Sequence, residues 1–225
     1  MHCHIVPGVD DGSPDIPTSL FLLEQMSEWG LERIYASPHS TQDSFENTPL
    51  TIAAPFAELC RSAKEKGLPV ELHHHFEYRL DEFFLTQLDC DNIVSLPGRF
   101  LLIENPFSNE PWGMEQLVYD LMNKGYNPVL AHPERYQYYA RNHRNRYADL
   151  HDKGLYFQIN LLSLAGHYGK RERETALYLL KNNMVQFVGT DLHRATHVES
   201  IRRYLSSANF LKDQKLFDRL YNDTL

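Results

Sequence analysis

The stretch His2-Cys3-His4-Ile5-Val6-Pro7-Gly8-Val9-Asp10-Asp11-Gly12 places two imidazoles and two carboxylates within a short span. In an extended chain, residues two apart point to the same side, so His2 and His4 can grip one ion while Cys3 faces away as a packing residue. Gly8 and Gly12 permit turns that return Asp11 towards the same centre, with Asp10 the less favoured ligand. An H-x-H pattern alone describes a histidine-bearing arm as well as it describes a metal site. Further imidazoles and carboxylates, however, stand at the ends of apolar runs. His39 follows Ser37, Glu77 follows Phe76, and Glu104 ends Leu101-Leu102-Ile103; His132 ends Val129-Leu130-Ala131, and Asp191 and His193 follow Val188-Gly189-Thr190. This mixture suits zinc, iron or manganese and is rich enough for more than one ion. Bound cations lower the pKa of a coordinated water towards neutrality and neutralise phosphoryl oxygens during an in-line displacement, which is the chemistry of phosphoester hydrolysis. A bridging Glu77 would tie two ions together.

The cysteines point away from the alternative route. Cys3, Cys60 and Cys90 are odd in number and lack C-x-x-C spacing, so neither a disulfide framework nor a zinc ribbon is supported, and free thiols are expected. A thiolate phosphatase needs an arginine six positions after its nucleophile. Those positions hold Val9, Lys66 and Leu96.

Short β-rich runs alternate with amphipathic stretches along the chain, an α/β pattern. The expected strands are 33–37, 69–76, 100–104, 128–132, 155–160 and 185–190, and a strand over the first residues would make seven. The expected helices are 17–29, 52–66, 112–124 and 172–182, the first three closed by Gly30, Gly67 and Gly125. Repeated β-then-α units favour a parallel barrel over an open, doubly wound sheet, and in such a barrel all strand ends meet on one face.

A chain of 225 residues with 42% hydrophobic and 23% charged residues is expected to form one globular domain over 1–225. The formal net charge of −8, with acidic and basic residues interspersed, disfavours a nucleic-acid partner. No apolar stretch approaches the roughly 20 residues that span a bilayer. Histidines stand where a signal peptide would carry its apolar core, so the cytoplasm is the expected location and membrane insertion is not.

The runs HCHIVPGVDDG, SPH, FEYRLD, LLIENPF, AHPERY and GTDLH, in order from residue 2 to about residue 193, resemble the successive motifs of the polymerase and histidinol phosphatase (PHP) superfamily. Within it the chain is most similar to the bacterial manganese-dependent protein-tyrosine phosphatases of capsule and exopolysaccharide loci. The resemblance implies a distorted (β/α)7 TIM-like barrel with two to three divalent ions, manganese first, with iron, zinc or magnesium as alternatives. It implies His2, His4, Asp11, His39, Glu77, Glu104, His132, Asp191 and His193 as metal ligands and Arg135 as the phosphate ligand. The implied substrate is the phosphotyrosine tail of a bacterial tyrosine kinase that regulates polysaccharide export.

The fork of Arg135 matches two phosphate oxygens, the alternative being a salt bridge with Glu134 or another neighbour. Tyrosinate is a fairly good leaving group, so the demand for a general acid is modest, and Asp191 or His193 can assist. Tyr136, Tyr138 and Tyr139 either line the substrate cleft or pack a helix.

Three departures from the family pattern carry their own expectations. Met1 directly precedes His2, so the first strand looks clipped and His2 weakly anchored. Phe76 stands where relatives have a small residue, so its bulk would crowd Glu77; the nearby His75 reads as a half-exposed strand histidine, with support of a ligand as the alternative. Val198 stands where relatives often have a second arginine, the alternatives being Arg194 as the substitute or no substitute at all. Two other functions remain open: hydrolysis of a small metabolite such as histidinol phosphate, and a metal-binding regulatory module without turnover.

Overall fold

The structure is a computed structural model that describes the backbone of residues 1–142 and 144–225 and the side chains of 1–139 and 145–225. The chain forms two compact units, one of residues 1–94 and 191–199 and one of residues 95–190 and 200–225.

In the first unit the strands are β1 (Arg33–Ala36), β2 (His39–Thr41), β3 (Phe45–Glu46), β4 (Glu71–His74) and β5 (Glu77–Arg79). β1 pairs with β4 in parallel, β2 pairs with β5 in parallel, and β3 closes an antiparallel hairpin on β2. The strands expected at 33–37 and 69–76 each continue as two pieces that break in step. Ala36 faces His74, His39 faces Glu77, and the amides of His75 and Glu77 donate across the break to the carbonyls of Ala36 and Pro38. Pro38 has no N–H to give a ladder, which is why the pairing is interrupted there. The break aims His39 and Glu77, directly opposite one another, into the same space.

Local chemistry sets the helices of this unit. Asp15 accepts from the amide of Thr18 at 2.8 Å to start Ile16–Glu28, and Gly30 (φ +86°) ends it. Thr48 and Thr51 form a reciprocal cap on Pro49–Glu65, and Asp81 accepts from Phe84 N to start Glu82–Asp89. Leu22, Leu23, Met26, Ile34, Ala36, Ile52 and Leu59 are fully buried and form the apolar backing of the strands.

The expected first strand is a single parallel bridge, Cys3 to Leu192, instead of a full strand. It is nonetheless firmly held. Asp191 N donates to His2 O at 2.9 Å, His4 N to Leu192 O at 3.0 Å, Ser37 N to Cys3 O at 2.8 Å, and Cys3 N to Ser37 Oγ at 3.0 Å. His75 Nε2 donates to the carbonyl of Met1 at 2.8 Å. His2 is therefore buried and anchored, contrary to expectation.

In the second unit, β6 (Phe100–Glu104), β7 (Asn127–Ala131), β8 (Tyr156–Asn160) and β9 (Phe187–Gly189) form a run of parallel neighbours in chain order. Leu101, Leu102, Ile103, Val129, Leu130, Phe157 and Ile159 are all inaccessible to solvent, the signature of a parallel sheet covered on both faces. Helices Met114–Asn123, Arg144–Asp152 and Lys170–Lys181 connect these strands. No sheet closes on itself among the described residues, so the barrel closure expected from the sequence is absent from the strand pairing. The reasons are local: the first segment contributes one bridge, and the β1/β4 pair lies in a different sheet from β2 and β5. No helix among the described residues is long and apolar enough to cross a membrane.

Candidate metal centre and phosphate site

The first unit gathers seven of the nine expected ligands. His2 Nε2 lies 3.2 Å from His4 Nε2, and Glu77 Oε2 is 3.3 Å from each of them. His39 Nδ1 is 3.1 Å from the same carboxylate oxygen. Asp191 Oδ1 lies 3.5 Å from His2 Nε2 and 3.6 Å from His4 Nε2. Asp11 Oδ1 reaches His39 Nε2 at 3.4 Å and His193 Nε2 at 3.5 Å. His2, His4, Glu77 and Asp191 are buried, whereas Asp11 is exposed and borders the solvent side of the cluster.

Tautomers follow from the partners. An ionised carboxylate only accepts, so His4 donates Nδ1–H to Asp10 Oδ2 at 2.8 Å and its Nε2 carries the lone pair. His193 donates Nδ1–H to the carbonyl of Asp191 at 3.0 Å, leaving Nε2 to face Asp11. Burial alone would push His4 below the usual imidazole range, but Asp10 and Glu77 hold it well above. Asp10 moves the other way, held below the usual carboxylate range by His4 and His39 against the effect of burial. Asp11 is depressed by its bonds to His193 and His39. A lone pair that binds a proton this readily binds a cation for the same electrostatic reason.

These atoms fit divalent ions. The ring nitrogens of His2 and His4 and a carboxylate oxygen of Glu77 converge in a buried space, a donor set of the kind that holds a divalent cation. Their spacing also matches a ligand shell, since four ligands at about 2.1 Å in tetrahedral array lie roughly 3.4 Å apart. A second group, His4, Asp11, His39 and His193, keeps its ligand atoms within 4.8 Å of one another.

Asp10, less favoured than Asp11 as a ligand from the sequence, is hydrogen-bonded to the candidate ligand His4. Besides His4 it accepts from His39 N at 3.1 Å and Gly12 N at 3.0 Å. Phe76 does not crowd Glu77: its ring is buried beside Tyr78 and His74, on the opposite side of the strand. His75 is buried rather than half-exposed, and burial lowers its pKa to about 3. It is neutral and serves as the anchor of Met1.

The second unit carries the remaining pair and the arginine. Glu104 ends β6 and His132 follows β7, their Oε1 and Nε2 atoms 3.5 Å apart and both residues buried. His132 has φ +34° and, in the first unit, Asp191 has φ +50°, left-handed conformations that cost a non-glycine residue about 1–3 kcal/mol each. Such strain is held where a side chain must be aimed. Glu134 is buried and accepts from Asn160 N at 2.8 Å, and burial raises its pKa to about 7. Its bond goes to the end of β8, while the guanidinium of Arg135 packs against the rings of Phe107 and Tyr168.

Tyr136 and Tyr139 resolve to packing. Both are buried, and their hydroxyls accept from Asn105 N and Asn105 Nδ2, each at 3.0 Å. Tyr138 donates to the carbonyl of Pro106 at 3.1 Å. Arg194 is exposed in the first unit, and Val198 is a buried packing residue of helix Ala195–Leu205. Sequence reasoning missed Asn105, Phe107 and Tyr168; of these, the first two lie in the LLIENPF run that already drew attention through Glu104.

The family described as capsular polysaccharide synthesis, CpsB/CapC, matches residues 1–210. The chain is 34% identical over 194 residues to the tyrosine-protein phosphatase YwqE of Bacillus subtilis (strain 168), covering 86% of this chain and 76% of that protein. It is 30% identical over 201 residues to the tyrosine-protein phosphatase CpsB of Streptococcus pneumoniae, covering 86% and 82%. A chain from the crystal structures of YwqE from Bacillus subtilis and CpsB from Streptococcus pneumoniae, described as unique metal-dependent tyrosine phosphatases, superposes with a TM-score of 0.82 at 30% identity. That match covers 98% of this chain and 93% of the other.

Proposed function

The chain belongs to the CpsB/CapC family of capsular polysaccharide synthesis, and we propose that it is a metal-dependent tyrosine-protein phosphatase, a phosphoric monoester hydrolase. The observation that carries this is the convergence of the His2 and His4 ring nitrogens and a Glu77 carboxylate oxygen in a buried space at ligand-shell spacing.

The proposed ligands are His2, His4, Asp11, His39, Glu77, Asp191 and His193 of the first unit and Glu104 and His132 of the second. Two to three divalent ions are assigned, manganese first, with iron, zinc or magnesium as alternatives. Such ions supply an acidified water and neutralise the phosphoryl oxygens of the substrate.

The protein's own groups do the rest. Asp10 holds His4 in one tautomer, so that Nε2 faces inward. His39 and Glu77, opposed on paired strands, keep a fixed separation. Arg135 takes two phosphoryl oxygens through its planar fork, with Arg194 as a second cation for the substrate. Tyrosinate leaves readily, so Asp191 or His193 need supply only modest proton assistance. The proposed substrate is the phosphotyrosine tail of a bacterial tyrosine kinase that controls capsule and exopolysaccharide synthesis, met in the cytoplasm. The family and the names of its tyrosine-phosphatase relatives support that choice.

The test is hydrolysis by manganese-loaded protein of a phosphotyrosine peptide set against histidinol phosphate. Faster turnover of the peptide is the expected result. Preference for histidinol phosphate would move the chain to metabolite hydrolysis, and no turnover at full metal occupancy would leave a binding module.

A further inference from the structure

Arg135 does not project into solvent unsupported. Its guanidinium carbon lies 4.3 Å from the centroid of the Tyr168 ring and 4.9 Å from that of Phe107. Neither ring belongs to the AHPERY run. Phe107 comes from the loop after β6, and Tyr168 from the turn before helix Lys170–Lys181.

Both rings are themselves held. The loop carrying Phe107 is fastened on two sides, through Asn105 to the hydroxyls of Tyr136 and Tyr139 and through the Pro106 carbonyl to Tyr138. Phe107 stacks on His132 with centroids 5.7 Å apart and planes at 20°, yet remains 42% exposed. Tyr168 sits between Gly166 (φ +77°) and Gly169 (φ +124°), whose amide donates to the Gly166 carbonyl at 3.2 Å. Glycine is the residue that adopts these backbone angles without strain, so the turn presenting Tyr168 is built into the sequence.

A guanidinium lying over aromatic faces is attracted through the ring quadrupole while its N–H groups point outward in its own plane, not into the rings. Those edges are what a phosphate needs for a two-point contact. A long arginine side chain otherwise samples many rotamers, and holding it in advance removes that cost from substrate binding.

We propose that Phe107 and Tyr168 are positioning residues that hold the Arg135 fork ready for the phosphoryl oxygens of a phosphate monoester. The proposal rests on the assignment of Arg135 to phosphate made above.

The experiment uses the full, manganese-loaded chain with a phosphotyrosine peptide for kcat and KM and with inorganic phosphate as competing ligand. Phe107→Leu, Tyr168→Leu and Tyr168→Phe are measured alone and combined with Arg135→Ala. Each leucine variant should weaken phosphate inhibition and raise KM roughly 3- to 30-fold with a smaller change in kcat, while Tyr168→Phe stays near wild type. In the Arg135→Ala background the leucine effects should shrink to about 2-fold or less, because the rings then have no cation to hold. Should a leucine variant fail to fold, methionine at the same position keeps the bulk and takes its place.

Ring effects of full size without Arg135, or no effect of the leucine variants on phosphate affinity, would overturn the proposal alone. So would a loss in Tyr168→Phe equal to that in Tyr168→Leu. Wild-type phosphate affinity in Arg135→Ala by itself would overturn the assignment of Arg135 and the proposal together.

Discussion

Nδ1 of His4 lies 2.8 Å from Oδ2 of Asp10, and both side chains are fully shielded from water. This one bond fixes which nitrogen of His4 faces the carboxylates of Glu77 and Asp191. It also separates the roles proposed for the double aspartate after Gly8, Asp10 gripping His4 and Asp11 offered as a ligand beside it.

Asp10→Asn keeps the shape of the side chain but removes the charge that fixes His4. Metal affinity should fall roughly 10- to 100-fold, with turnover recovering at high manganese. Metal titration followed calorimetrically checks this, and an unchanged binding curve would remove Asp10 from the site.

Glu77→Ala deletes the carboxylate oxygen that approaches His2, His4 and His39 together. Hydrolysis should be abolished and metal content reduced while circular dichroism stays native. Wild-type rate and metal content would mean that the cluster is centred elsewhere.

Gly12→Ala tests how tightly the turn is built. A Cβ there would collide with the backbone carbonyl and Cβ of His4. Overpacking of this kind costs about 1–3 kcal/mol, and the displaced group is a proposed ligand, so both melting temperature and metal affinity should drop. A fully stable, fully metallated variant would show that the Gly8–Gly12 turn relaxes freely.

Arg135→Lys retains charge and loses the fork. kcat/KM should fall while metal stoichiometry is unchanged, which mass spectrometry of the native holoprotein can confirm. Parallel loss of metal would make Arg135 a structural residue instead.

Cys3 is buried, and burial raises its thiol pKa to about 11, Cys60 is half-buried, and Cys90 is exposed. Replacing all three by serine should leave most activity, whereas a chelator should silence the enzyme until manganese is restored. Loss of turnover on thiol alkylation, with metal and fold intact, would point to a thiolate mechanism.

Much of the fold is legible in the sequence because it lies in local pattern. β6 occupies 100–104 as expected, since three consecutive aliphatic residues ending in Glu104 leave little freedom. β7 and the helix Met114–Asn123 fall within two residues of their expected bounds, set by the apolar runs and by Gly125. Glu82–Asp89 and Arg144–Asp152 lie outside the expected set, the first being short and the second too polar to show a clear stripe; Ala195–Leu205 also lies outside it, although Val198, Ile201 and Tyr204 form a buried stripe.

The misses at the site are tertiary in origin. The choice between Asp10 and Asp11 depends on how a turn closes onto His4. His75 looks half-exposed on its strand but is buried, with its Nε2 donating to the Met1 carbonyl at the start of the chain's first segment. The neighbours of Arg135 come from two separate loops, which no spacing rule connects.

The parallel bridge between Cys3 and Leu192 joins the segments that carry the first and the last of the proposed ligands of this unit. The backbone of His2 and His4 is bonded by the segment carrying Asp191 and His193, so these are the most non-local contacts in the unit. During synthesis the first histidines leave the ribosome without their partners, and ions captured then would meet an incomplete set. On the proposed ligand set, metal acquisition should therefore come late in folding, and a nascent chain truncated before residue 191 should be unable to build the centre at all.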